Sequence, residues 1–405
     1  MPDPQSLSQD DHIAFALRLG RALQAYGTPA HRLEDAMEAV SRRLGLEAQF
    51  FGMPTGFIAS FGEGHTGRTF VQRVPASSVD LAKLDETYGV TDALLQGRLD
   101  SAEAARRLDR LMDAPPRFRR AVQVAAFALV AACFGALLGG GWLDMGCAAL
   151  LGAALGGLTL LTERFLTLAR LHLVLSGALA AFGAQLLAKA GGHFSPSLAM
   201  LAGLIMLLPG ISLTIGLNEL AMGHLVSGTS RFAGALVVLL QLAFGVALGQ
   251  KLGSLLHAGS GAAAAAPGWF DWVAVLLAPI AITVLLKGRF RDLGWVWAAG
   301  FLAYGAAQAG TALLGPEAGL GLGALAGGLA SNGFSRWKRR PSLLLLLPVL
   351  YLLTPGSVGF RSFASLAQSD VYSGMDAAFR TAFLAFALVT GLLIANAALP
   401  PRRSL

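Results

Sequence analysis

From residue 117 onward the chain returns again and again to apolar stretches of about 20 residues, and no other feature limits its fold so severely. At 1.5 Å per residue, such a stretch crosses a hydrocarbon core of about 30 Å as a helix. Ten can be placed, at 121–140, 142–161, 171–190, 197–216, 232–256, 270–287, 293–314, 317–334, 341–359 and 377–399. With 55% apolar and 14% charged residues, the chain lies outside the range of soluble globular proteins. The expected fold is an α-helical polytopic membrane protein of ten transmembrane helices. Many of its 50 glycines suit close helix packing in lipid.

The charge divides the chain. Residues 1–116 hold 12 Lys/Arg against 16 Asp/Glu, and residues 117–405 hold 19 against 8. The positive excess therefore belongs to the loops of the apolar half, where Lys and Arg mark the cytoplasmic side. With both termini inside, 15 basic residues fall in cytoplasmic segments and four (Lys189, Lys251, Arg361, Arg380) outside. A nucleic-acid partner would call for a basic extramembrane part, and this one is acidic. No apolar stretch precedes residue 121, so no cleavable signal peptide is expected. Cys133 and Cys147 both sit in apolar runs, where no disulfide is expected.

Residues 1–116 read as a small cytosolic α+β domain. Helical periodicity covers 12–27 and 31–44, three β-type runs cover 46–51, 56–61 and 69–74, and helical period returns over 79–112 with 90–99 and 101–112 as the candidate helices, the last capped by Ser101. Thr28, Pro29 and Glu34 suit the cap, first turn and dipole end of the second helix, which explains them without chemistry. An enzymatic role for His31, Thr28 and Glu34 therefore finds no support. No metal-ligand spacing, nucleophile elbow, phosphate loop or dinucleotide fingerprint appears, so neither a cofactor nor a metal is expected.

The apolar half repeats itself. Leu207-Leu208-Pro209-Gly210 matches Leu353-Thr354-Pro355-Gly356 at an offset of 146 residues, and at the same offset Leu220-Ala221 matches Leu366-Ala367 and Ser227-Gly228 matches Ser373-Gly374. The copies lie five spans apart, an odd number, so they enter the membrane from opposite sides. Two inverted five-helix units, 117–262 and 263–405, are the expectation. Pro removes a backbone donor and Gly frees the backbone, so the fourth and ninth spans should break at these pairs. Broken helices persist at membrane depth only inside protein or facing water, where transporters place their sites.

Polar residues gather past each break. Pro209, Gly210, Ser212, Thr214, Asn218 and Glu219 form one set of candidate substrate residues, and Pro355, Gly356, Ser357, Arg361 and Asp370 form the other. Glu219 suits an ammonium and Arg361 a carboxylate. Glu163, Arg164 and Asp144, at the two ends of the second span, are candidates for coupling to a proton.

Over nearly its whole length the chain resembles the threonine/serine exporter family. The resemblance rests on Gly27-Thr28-Pro29-Ala30-His31-Arg32-Leu33-Glu34, Pro54-Thr55-Gly56-Phe57-Ile58, Val79-Asp80-Leu81-Ala82-Lys83-Leu84, Leu208-Pro209-Gly210 and Leu353-Thr354-Pro355-Gly356. It implies ten spans, a cytosolic N-terminal domain, a bacterial inner (plasma) membrane location, and secondary active export of threonine and serine by proton antiport, with alternating access around the broken helices. Relatives commonly show an Asn-Ala-x-Arg-Asp run where this chain has Thr214-Ile215-Gly216-Leu217-Asn218-Glu219. Split two-chain relatives export dicarboxylates, so a succinate-like substrate is the alternative. The sequence sets no oligomeric state, and a homo-oligomer is compatible with it.

Overall fold

The structure is a computed structural model that describes residues 9–62, 67–74, 79–190, 193–255, 266–353 and 371–401, with only the helical backbone of 371–379. Its N-terminal unit packs four helices, α1 (Gln9–Ala25), α2 (Ala30–Arg43), α3 (Leu81–Leu95) and α4 (Ser101–Asp113), with three strands, β1 (Ala48–Met53), β2 (Gly56–Phe61) and β3 (Arg68–Arg73). The strands form an antiparallel sheet in the order β1-β2-β3. Phe57 pairs with Gly52 on one side and Gln72 on the other. Its ring is fully buried among Leu19, Leu23, Leu33 and Met37, a burial that contributes about 2–3 kcal/mol. Gly20 makes room for it: a Cβ there would lie 2.6 Å from the ring edge.

Local signals placed most of these elements, and the differences are instructive. The third helix starts at Leu81, nine residues ahead of the expected 90–99, because Asp80 accepts a hydrogen bond from Lys83 N at 3.0 Å and caps it. The cap of α4 is Asp100, which accepts from Glu103 N at 2.6 Å, rather than Ser101. At α2 the local capping explanation fails. Pro29 holds the cap position without a side-chain bond, the buried Thr28 hydroxyl has no partner, and Glu34 accepts from Gly52 N of β1 at 2.7 Å.

The apolar half runs α5 (Arg120–Leu137), α6 (Trp142–Thr162), a short α7 (Leu166–Ala169), α8 (His172–Lys189), α9 (Pro196–Leu204), α10 (Gly210–Ala221), α11 (Leu225–Ser254), α12 (Phe270–Leu285), α13 (Leu293–Leu314), α14 (Pro316–Lys338), α15 (Leu343–Leu353) and α16 (Val371–Ala398). Among the described residues, α5, α6, α8, α11 and the Arg380–Ala398 part of α16 are long and apolar enough to cross a membrane, and α9 with α10 forms a sixth candidate as a bent pair. Helices α12 and α15 are shorter, and α13 and α14, though 22 and 23 residues long, fall below that apolarity. The result is a helical membrane protein in which each of the ten apolar stretches carries helix.

Small residues set the packing. Helix α8 packs on α11, and α14 packs on both α13 and α16. A Cβ on Gly245 of α11 would collide with the carbonyl of Val174 in α8, and one on Gly391 of α16 with that of Gly321 in α14. Such closeness lets backbones pack without intervening side chains. Gly245 and Gly391 are 146 residues apart, the offset of the sequence repeat.

Candidate functional site

The fourth apolar stretch breaks where Pro209 interrupts it. Helix α9 tightens into a 3-10 turn over Ile205–Leu207, Leu208 becomes extended, and α10 leaves from Gly210 at 53° to the preceding segment. Pro209 has no N–H to continue the ladder, while its carbonyl accepts from Leu213 N at 2.9 Å to start the next helix. The second break, at Pro355 and Gly356, lies outside the described residues, as do Ser357, Arg361 and Asp370.

Helix α10 carries the polar face expected of it. Thr214 is buried and its hydroxyl donates to Gly210 O at 3.0 Å, closing on the break itself. Asn218 is buried, with its amide nitrogen 3.5 Å from Met222 Sδ and its Oδ1 without a partner. Ser212 is half-buried and lines no part of the cavity described below.

Glu219 is completely buried and accepts three hydrogen bonds: from Ala30 N at 2.9 Å, from Ser227 Oγ at 2.7 Å and from Arg231 Nε at 3.1 Å. The first partner opens α2 of the N-terminal unit, so a carboxylate of the apolar half caps that helix in place of Thr28. The other two lie on α11. Gly228 makes this reach possible, because a Cβ there would lie 2.8 Å from Gly216 O and push α11 off α10. The Ser227-Gly228 pair of the repeat thus has a physical role.

Around this carboxylate the N-terminal unit is fastened to both parts of the apolar half. His224 Nδ1 lies 3.4 Å from Glu34, and its ring centroid is 5.9 Å from that of His31. Arg32 donates to Ser342 Oγ at 2.6 Å. Leu81 N and Ala82 N of α3 donate to the carbonyls of Leu286 (3.0 Å) and Lys287 (3.3 Å). Asp85 then accepts two bonds from Arg340, both 2.8 Å, and others from Arg289 at 2.8 Å and Arg291 at 3.1 Å, while Arg340 also donates to Asp292 at 2.5 and 2.8 Å. Sequence reasoning missed this clamp and assigned these arginines to topology alone. The signal available was the Asp85-Glu86 pair in an otherwise weakly charged helix.

Burial drives the His31 imidazole down to about 3, assisted by its electrostatic interactions with Arg32, His224 and Arg231. It raises the Glu34 carboxyl, against the Gly52 amide and His224, which lower it. Burial also lowers the Arg32 guanidinium.

Between α2, α10, α15 and α16 lies a narrow cavity of about 30 Å³. His31 and Arg32 line it from α2, Thr214, Ile215 and Asn218 from α10, four leucines from α15, and Leu392 and Asn396 from α16. The candidate residues Thr214 and Asn218 are therefore brought together with α15, the helix that immediately precedes Pro355 in the sequence.

The coupling candidates lie elsewhere. Asp144 is buried and accepts from Gly141 N (2.8 Å) and Ser195 N (2.7 Å), tying the start of α6 to the start of α9. Glu163 and Arg164 are exposed at the other end of α6. Among the described residues, no group of three or more His, Cys, Asp or Glu side chains could hold a metal ion.

Residues 14–253 match the family described as putative threonine/serine exporter, and residues 271–398 match the one described as threonine/serine exporter, ThrE. An uncharacterized protein of Schizosaccharomyces pombe is 27% identical over 384 residues, covering 90% of this chain and 49% of that protein. Pheromone-regulated membrane protein 10 of Pichia sorbitophila is 25% identical over 384 residues, covering 90% of this chain and 37% of its own. The Candida albicans protein of the same name is 27% identical over 380 residues, with 90% and 34% covered. The chain thus spans about half or less of the length of these curated relatives. No solved structure matches.

Proposed function

The chain belongs to the threonine/serine exporter family, a family of membrane exporters, and on that premise we propose that it is a secondary active, proton-driven exporter of threonine, serine and similar small amino acids. The observation that carries this reading is the break at Pro209-Gly210, which turns α10 so that Asn218 and Glu219 are buried inside a helical bundle. Three donors offset the burial of Glu219, whereas the Asn218 oxygen is left without a partner past the break, where transporters place solute paths.

The two five-helix units, 117–262 and 263–405, work as an inverted pair in this reading. The shared offset of the Pro-Gly breaks and of Gly245 and Gly391 supports it, as does the parallel packing of α8 on α11 and α14 on α16. The N-terminal unit lies on the cytoplasmic side, with the basic loops that carry Arg289, Arg291 and Arg340. Pro355, Gly356, Ser357, Arg361 and Asp370 complete the path from the second break, and Glu163 with Arg164 serves the coupling proton. Asp144, which holds two backbone amides, is the weaker coupling candidate.

Everted membrane vesicles containing the full chain test the reading. With a proton gradient imposed, labelled threonine and serine accumulate, and the accumulation collapses with a protonophore. Vesicles that accumulate neither amino acid above protein-free controls would refute it.

A further inference from the structure

Three polar groups without adequate partners converge on the small cavity, and they come from two distant parts of the sequence. The Arg32 guanidinium donates to Ser342 Oγ and feels Asp35 and Tyr88, but among the described residues it forms no ion pair within 4 Å of a carboxylate. His31 and Asn218 are each 8% exposed, and His31 Nδ1 and Asn218 Oδ1 have no hydrogen-bond partner. Buried polar atoms in native proteins are seldom left unpaired, so two at one cavity, beside a guanidinium that lines it without a carboxylate ion pair, point to something that binds there. Resting on the exporter reading above, we propose that this cavity is the closed form of the substrate site, and that α2 of the N-terminal unit supplies half of it.

The chemistry assigns the roles. Arg32 is a planar donor matched to a carboxylate. Asn218 Oδ1 is an acceptor matched to an ammonium. His31 Nδ1 meets a hydroxyl, which can donate or accept and so suits either ring tautomer. Ile215, Leu347 and Leu350 give apolar walls for a short carbon skeleton. A small hydroxy amino acid satisfies all three groups at once. A dicarboxylate is matched less well, because its second carboxylate finds no second cation among the described lining residues and leaves the Asn218 oxygen without a donor. Among the described lining residues, Arg32 is the single cation at neutral pH, since burial keeps His31 uncharged.

The cavity also sets a condition on movement. At about 10–15 Å³ per water it holds two or three waters, far less than an amino acid. The substrate enters only after α2 separates from α15, so the N-terminal unit acts as a wall of the site that opens and closes.

Calorimetric binding and proteoliposome counterflow on the full chain test this, with threonine and threoninamide as probes. Wild type is expected to bind threonine at least about tenfold more tightly than threoninamide, which lacks the carboxylate. Arg32→Gln should lose about tenfold or more of threonine affinity and with it that preference, Arg32→Lys should retain part of both, and Ser342→Ala should resemble wild type. Asn218→Ala should weaken threonine but not 3-hydroxybutyrate, which keeps the carboxylate and the hydroxyl and has no donor in place of the ammonium. If Arg32→Gln and Asn218→Ala elute as folded protein and bind threonine as wild type does, the site is overturned while the exporter reading stands. If Arg32→Gln does not fold, unchanged threonine affinity in both Arg32→Lys and Asn218→Ala overturns it equally. If wild type neither binds nor moves threonine or serine, the exporter reading itself fails and the site falls with it.

Discussion

Glu219 accepts hydrogen bonds from three donors in a place closed to water, and those donors belong to two helices of different parts of the chain. Replacing it with Ala strands the Ala30 amide, the Ser227 hydroxyl and the Arg231 guanidinium. Breaking a buried pair costs about 3–5 kcal/mol, and since the Arg231 side chain keeps 22% exposure, the lower end, about 3 kcal/mol, is expected. Thermal unfolding of the detergent-purified chain measures it, with Glu219→Gln falling between Ala and wild type. The sequence marked Glu219 as a costly intramembrane carboxylate, which was legible from its place after Pro209. Its partner was not legible, because Ala30 lies 189 positions away and Thr28 offered a local cap that the fold does not use.

His31 gives a pH dependence whose sign follows from the buried form. Docked against α10 and α11, it stays neutral down to about 3, whereas an exposed imidazole takes up a proton near 6.5. Docking is therefore at full strength above pH 6.5 and weakens as the pH falls toward 3, by up to about 2 kcal/mol at pH 5. Arg32, His224 and Arg231 around it oppose its charging, and Glu219 is occupied by other donors. Glu34 works in the opposite sense, since its raised carboxyl takes a proton more readily when docked and so favours docking as the pH falls. Protease cutting in the 114–119 linker should rise between pH 7 and 5 in wild type, and that rise should be lost in His31→Asn.

Among the elements, α3 and the loops that receive it show most clearly why tertiary contacts escape a reading of the sequence. Helix periodicity, turn glycines and apolar runs are local signals; they gave the β2 boundaries and α4 closely, and helix occurs within each of the ten apolar stretches. The Arg340–Asp85 pair spans 255 positions, and nothing local distinguishes Arg340 from its topological neighbours. Arg340→Ala leaves Asp85 and Asp292 without their forked donor, and a cost of about 3 kcal/mol to docking is expected, read as faster cleavage of the linker at unchanged helix content.

The glycine contacts test the repeat at the same scale. Gly245→Val and Gly391→Val each force two helices apart and should abolish transport alike. Gly146→Val and Gly157→Val, where a Cβ meets nothing within 4 Å, should leave it intact. Transport that survives at one of the paired positions and fails at the other would break the equivalence.

At the scale of the whole molecule, the N-terminal unit is joined to the first half through Glu219 and His224 and to the second through Ser342, Leu286, Lys287 and Arg340. A body fastened to both halves has to loosen from at least one when they move relative to each other. A disulfide between Ala82→Cys and Lys287→Cys, whose backbones are already hydrogen bonded at 3.3 Å, should arrest transport until it is reduced. Full activity in the oxidised protein would show that this joint stays closed throughout the cycle.

The central claim is that this chain moves small hydroxy amino acids across a membrane. Counterflow measures it most directly, with the purified full chain in liposomes preloaded with unlabelled threonine and tracer supplied outside. The account expects transient accumulation of labelled threonine and serine, suppressed by excess of either, with no accumulation of labelled succinate. Accumulation of succinate, with threonine and serine flat, would contradict it.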